Sequence, residues 1–256
     1  ADVVLIASNE VRYAINRNAA RFDPAQTLTS TSVEGDLPER TGTTVVLFAD
    51  MNGSGSRDIV WVTGGRVRFL ELFPVRPNLL SQIENGLGAV QQVEYGTSVL
   101  QQARDEETDP WEYKLPHAMN VVVRVDVWNE LFATETDGLH EITQLDYRDG
   151  YYDGTERAFR GYAHVERLEE ASLDQDRQPS SLMVFDYDVG ATDPYRYGLM
   201  LQVARFTGEP GSWTSLREER VTYADCPLAE VPTTGLTRPI RWICEQERLS
   251  IVQEGA

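Results

Sequence analysis

Six short runs, Val3-Val-Leu-Ile6, Val45-Val-Leu-Phe48, Ile59-Val-Trp-Val62, Val67-Arg-Phe-Leu70, Val121-Val-Val-Arg-Val-Asp-Val127 and Ser181-Leu-Met-Val-Phe-Asp-Tyr187, are rich in β-branched or aromatic residues and mostly flanked by Gly, Pro, Asn or Asp. Such side chains fit a pleated, half-buried surface, and the flanking residues are those that turns require. Helical spacing is confined to Ser98–Glu107 and Glu166–Gln175, and both stretches are polar enough to be loops. The predicted fold class is all-β, mainly antiparallel, with turns at Asn52-Gly53, Gly64-Gly65, Asn85-Gly86 and Asp153-Gly154.

The 256 residues, 41% hydrophobic and 9% aromatic, can bury one large core or two modest ones. Acidic side chains outnumber basic ones 41 to 23, giving a formal charge of −18. That field repels phosphates and anionic lipid headgroups, so neither nucleic acid nor a membrane surface is an expected partner. No stretch approaches the roughly 20 apolar residues that cross a bilayer, and direct membrane insertion is not expected. The chain opens on Ala1-Asp-Val-Val-Leu-Ile6, as if inside a strand, without Met or a signal peptide. It reads as a fragment of a longer secreted protein.

Cys226 and Cys244 match no zinc spacing. A disulfide closing a loop of about 19 residues would stabilise the chain by roughly 3 kcal/mol. Two buried thiols are the alternative, and the Cα separation that decides between them is not written in a sequence.

A repeat occupies the first quarter. Ala1–Tyr13 aligns without gaps with Arg57–Phe69, pairing Asp with Asp, apolar with apolar, and Val-Arg-aromatic with Val-Arg-aromatic. A unit of that spacing with several short strands suits a propeller blade better than a helical solenoid. Just before the second copy, Asp50, Asn52, Ser54, Ser56 and Asp58 form the best metal candidate, with Gly55 where the chain must bend. Ca²⁺ takes six to eight oxygens, and alternate residues of a tight loop supply them with a backbone carbonyl, here that of Ser56. Trp61 stands where an EF-hand needs a bidentate Glu, so the loop is of a shorter kind. A metal-free Asx-turn held by Asp50 and Asn52 is the competing reading. Only Asp2 survives of the equivalent loop in the first copy.

Phe48–Val62 resembles an FG-GAP (integrin-type) blade motif, and Asn78–Tyr95 resembles the segment that follows the propeller in the B component of bacterial toxin complexes (Tc toxins). Leu115–Val125 is loosely similar to a strand of that family. More specific is Tyr147-Arg-Asp-Gly-Tyr-Tyr-Asp-Gly-Thr-Glu-Arg-Ala-Phe-Arg-Gly-Tyr162, similar to a Tyr-Tyr-Asp-Gly…Glu-Arg-x-Phe-Arg-Gly-aromatic signature shared with Rhs-type shell proteins. The resemblance extends more weakly through Tyr197–Gln202 and Arg220–Tyr223. In physical terms Asp149-Gly150 and Asp153-Gly154 are turn formers, Tyr147, Tyr151 and Tyr152 offer amphipathic faces, and Glu156, Arg157 and Arg160 can pair across strands.

The resemblance implies an all-β chain with partial β-propeller blades over residues 1–76 and an antiparallel β-strand shell over residues 77–256. It further implies a non-enzymatic part of a secreted, extracellular toxin complex, docking on the pore-forming A component and forming, with the toxin-carrying C component, a shell around a toxic polypeptide. Such a shell segment taken alone exposes unpaired strand edges. Two other readings compete: a calcium-dependent adhesin or carbohydrate-binding propeller, and a carbohydrate-active enzyme using Asp149, Asp153 and Glu156. Against the last, carboxylates beside Gly in turns are ordinarily turn residues, and nucleophile-elbow, zincin, P-loop and aspartic-protease motifs are missing. His117, His140 and His164 read as ordinary surface or strand residues, and Trp61, Trp111, Trp128, Trp213 and Trp242 as core anchors.

Overall fold

Both copies of the repeat fold into a hairpin of identical register. In this computed structural model, which describes residues 2–17, 19–33, 36–129, 139–173, 176–177, 179–227 and 240–253, β1 (Val3–Ile6) pairs with β2 (Glu10–Ala14) from Val3↔Ala14 to Ile6↔Val11. After the short pair β3 (Asn16–Arg17) and β4 (Arg21–Phe22), β5 (Gln26–Thr29) completes a three-stranded sheet on β2. A second three-stranded sheet holds β6 (Val45–Ala49), β7 (Asp58–Thr63) and β8 (Arg66–Leu70). Ladder β7–β8 runs from Ile59↔Leu70 to Thr63↔Arg66, so each β1–β2 partner maps onto a β7–β8 partner at one constant offset. Gly64 and Gly65 close this hairpin at φ 56° and 74°, the paired positive angles that a type I′ turn needs. Val11, Ile59 and Trp61 are buried together, packed by Val4, Ile6, Val46 and Leu70, so the core of this unit (residues 1–52 and 56–74) draws on both copies.

The second unit, 53–55 with 75–256, is built on one sheet. Its elements are β9 (Gln82–Glu84), β10 (Ala89–Thr97), α1 (Ser98–Asp105), β11 (Asn120–Asn129), β12 (Leu139–Asp153), β13 (Ala158–Leu173), β14 (Asp176–Arg177), β15 (Ser180–Asp188), a 3₁₀ turn Pro194–Arg196, β16 (Leu199–Glu209), β17 (Ser212–Cys226) and β18 (Trp242–Val252). The strand order is β18-β17-β16-β15-β13-β12-β11-β10-β9, an antiparallel meander, with β14 beside β13. Strands of 15 and 16 residues at β12 and β13 exceed the ordinary five or six, and β13 reaches about 50 Å. Five ladders carry a register shift, each with an aromatic residue beside it: Tyr95, Tyr152, Tyr187, Phe206 and Tyr223. Such bulges bend and twist a strand, which long strands need if their sheet is to curve. Along β11 and β15 almost every residue is half-buried, with no in–out alternation, so both faces of this sheet are only partly covered.

Three expectations are corrected. Glu166–Leu173 lies within β13 rather than in a helix or loop, because β12 and β15 pair with it from either side and the ladders outweigh weak helical propensity; Asp174 and Gln175 lie outside the described residues. Ser98–Asp105 is indeed helical. Asp149-Gly150 sits inside β12 and not at a turn, because the ladder with β13 continues past it to Asp153↔Ala158; the register shift falls just after Gly150. Trp242 is 56% exposed, because β18 forms the edge of the sheet and its outer side meets no strand among the described residues, whereas Trp61 and Trp111 are buried.

Cys226 and Cys244 form a disulfide across β17 and β18, with Cα atoms 5.9 Å apart. Replacing both by serine should lower stability by about 3 kcal/mol in urea under non-reducing conditions; an unchanged midpoint would show that the edge strand is held without the bond.

Candidate functional site

The hairpin of β12 and β13 carries the Tyr-Tyr-Asp-Gly segment, and its Asp149, Asp153 and Arg160 side chains are spent on structure. Asp153 Oδ1 accepts from Thr155 N (2.9 Å) and Glu156 N (3.1 Å), closing the turn that Arg157 completes at φ 54°. Asp153 Oδ2 meets Arg160 Nη2 at 3.3 Å, and the Arg160 guanidinium lies 5.0 Å over the Tyr197 ring. Backbone bonds from Glu156 and Thr155, together with Arg160, hold the Asp153 carboxyl below its ordinary range. Asp149, at φ 54°, accepts from Glu112 N at 2.5 Å. A carboxyl held low, as that of Asp153 is, runs opposite to the raised one that a glycosidase acid needs.

Gly150 explains why the segment needs a glycine in mid-strand. A Cβ there would stand 2.8 Å from Leu115 Cδ1 and 2.9 Å from Tyr162 Cε1, so the Tyr162 ring packs directly on bare backbone. Around that ring gather Tyr147 (centroids 5.0 Å apart), Phe159 (5.2 Å) and Trp111 (6.1 Å). Burial pushes the Tyr162 hydroxyl up to about 12.

Helix α1 is fastened to this hairpin through its polar face. Thr97 caps it by accepting from Leu100 N at 3.3 Å. Its buried residues are Ser98, Gln101 and Asp105, while Leu100 is exposed. Gln101 Oε1 accepts from Tyr147 N at 3.1 Å, and Asp105 Oδ2 from Trp111 Nε1 at 2.9 Å. Arg104 bridges Asp146 at 2.5 Å and Asp105 at 2.8 Å, and Arg148 pairs with Asp109. Burial raises the Asp105 carboxyl, but the Arg104 and Trp111 bonds outweigh it and leave the group below its usual value. The arrangement ties α1 to β12 through side-chain bonds and ion pairs.

At the metal-candidate loop, Asp50 and Asn52 are exposed, Ser54 and Ser56 are buried, and Asp58 is fully buried. Asp58 Oδ2 accepts from Met51 N at 2.8 Å, while its Oδ1 is buried with no hydrogen-bond partner. Burial raises the Asp58 carboxyl despite the Met51 bond, and the charges of Glu71 and Asp50 raise it further. Asn52 Nδ2 donates to Glu71 Oε1 at 2.6 Å. Among the described residues no three Asp, Glu, His or Cys side chains converge as metal ligands. Asp50 and Asp58 would need amide, hydroxyl and carbonyl oxygens to complete a Ca²⁺ shell.

A protein-family comparison matches residues 17–184 to the insecticide toxin TcdB middle/N-terminal region. Among solved structures, the Photorhabdus luminescens Tc holotoxin pore carrying the TccC3-D651A mutation superposes with a TM-score of 0.80 at 17% identity, over 99% of this chain and 14% of that one. The TcdB2-TccC3 crystal structure gives 0.76 at 18% identity, and TcdB2-TccC3-Cdc42 gives 0.75 at 17%; each covers 97% of this chain and 14% of the other. At such identities the likeness speaks for the fold, and this chain spans about one seventh of the length of those it matches. Against curated protein sequences the chain finds no match.

The packing at Gly150 separates two glycines of the signature. Gly150→Ala should destabilise the chain by about 1–3 kcal/mol through overpacking against Tyr162 and Leu115. Gly154→Ala, where a Cβ meets nothing within 4 Å, should leave thermal unfolding within error of the parent; equal losses at both positions would count against the ring-on-backbone account.

Proposed function

We infer the function of this chain from its membership: it belongs to the insecticide toxin TcdB middle/N-terminal region family. It acts as a wall segment of a toxin-complex B component, secreted from a bacterium and structural rather than catalytic. Residues 1–76 are the last FG-GAP-like propeller blades, which dock on the pore-forming A component. Residues 77–256 begin the shell that, joined to the C component, encloses a toxic polypeptide. The observation carrying this reading is the second unit's meander of very long strands, half-buried along β11 and β15. Co-expressing the full-length parent protein with its C component should give one stable assembly on size exclusion, which then binds the A component. Separate elution of all three would sink the proposal.

The Asp50, Asn52, Ser54, Ser56 and Asp58 loop binds Ca²⁺ in this reading, supported by the buried Asp58 oxygen that lacks a partner. Saturation at a hundred times Kd adds about 2.7 kcal/mol, a thermal shift of roughly 5–10 °C. Millimolar Ca²⁺ should therefore raise Tm, and Asp50→Ala should remove the response. A flat titration, or a response that survives the substitution, would take the metal out of the function.

A further inference from the structure

Among the described residues, two of the seams between long strands of the large sheet are short. Strands β11 and β12 pair from Arg124↔Gln144 to Trp128↔His140, and β13 and β15 from His164↔Asp186 to Glu169↔Ser181, whereas β12 and β13 pair from Leu139↔Leu173 to Asp153↔Ala158. Each short seam is crossed by a histidine and a carboxylate. His140 Nε2 lies 3.3 Å from Asp126 Oδ1, and His164 Nδ1 lies 2.7 Å from Asp186 Oδ1. His164 is the more constrained, because its Nε2 also lies 3.3 Å from Glu166 Oε1. Ionised carboxylates only accept hydrogen bonds, so both ring nitrogens must carry protons, a condition met by imidazolium alone.

We propose that His164 is a proton-operated clamp on the β13–β15 seam. Charged, it ties Asp186 of β15 to Glu166 of its own strand. Neutral, it has one donor for two acceptors and leaves those carboxylates as diagonal neighbours of like charge. The other groups around it modulate this balance. From β12, Arg148 is the direct cross-strand partner of His164 and Asp146 that of Glu166, while Asp149 lines the same hollow with Tyr187 of β15. Arg148 is held by Asp109 and lies near Asp105, and Arg104 of α1 holds Asp146. From β16, Gln202 pairs with Asp186 and brings no charge. Arg148 opposes a proton on His164, and the two carboxylates in contact favour it.

The Asp186 and Glu166 bonds raise the His164 imidazolium to about 9 from 6.5, against the opposing effect of burial. A group raised on folding contributes stability that is complete below its unfolded value and is lost as pH rises through its folded one. The seam therefore loosens on the alkaline side, between about 6.5 and 9, while below 6.5 this contribution is intact for as long as the two carboxylates stay ionised.

The full 256-residue chain tests this directly. The His164 Cε1 proton should titrate near 9 by NMR, and at a lower pH in Asp186→Asn. The urea midpoint should fall from pH 7 to pH 10 in the parent, lose that slope in His164→Gln and keep it in His140→Gln. Hydrogen exchange, corrected for its intrinsic pH dependence, should quicken in β15 before β17. A His164 titration near 6.5, or an unchanged slope in His164→Gln, overturns the proposal. Should His164→Gln fail to fold, the titration in the parent and in Asp186→Asn decides alone.

Discussion

The antiparallel ladder between β12 and β13, running from Leu139↔Leu173 to Asp153↔Ala158, is the interaction on which the second unit depends. A sheet half-covered on both faces removes little apolar area from water, so its stability leans on backbone bonds that each contribute only about 0.5–1.5 kcal/mol net. Length compensates for weakness, and the longest strands form this ladder. Everything else attaches to it. Strands β9 to β11 reach the rest of the sheet through β12, strands β15 to β18 through β13, and α1 through Gln101 and Tyr147.

The strands were legible because their information is local. Alternating β-branched runs between turn residues specify a hairpin over a dozen residues, which is why the two copies of the repeat share a register as well as a sequence. Helix α1 was ambiguous for the opposite reason. Its buried side chains are Ser98, Gln101 and Asp105, satisfied by partners as distant in sequence as Met119 and Tyr147, so no apolar stripe marks its inner face. The end of β13 misled in the same way: Glu166, Glu169 and Glu170 look like a solvated helix until the strands on either side are known. Asp149-Gly150 carried a turn signature, but the constraint there is the Tyr162 ring, twelve residues away. Of the metal-candidate loop, spacing revealed the oxygen donors and not the full burial of Asp58.

Charge is arranged on the same local scale. Arg12 with Glu10, Arg124 with Asp126, Arg167 with Glu169, Arg217 with Glu219 and Arg220 with Glu218 are pairs two residues apart, on one face of one strand. Exposed pairs of this kind contribute about 0–1 kcal/mol each. Their role is to place opposite charges side by side on a chain of formal charge −18, so that long strands can lie together without columns of uncompensated carboxylates.

The Cys226–Cys244 bond gives the edge strand an unequal response to force. A pull on the Val252 end peels β18 from β17 one backbone bond at a time, from Arg217↔Val252 as far as Tyr223↔Glu245. There the covalent link takes the load and passes it into β17, bypassing the connection between the two strands. The strand can be unzipped over most of its length and then stops, so tension arriving from a neighbouring segment is caught before it reaches β16.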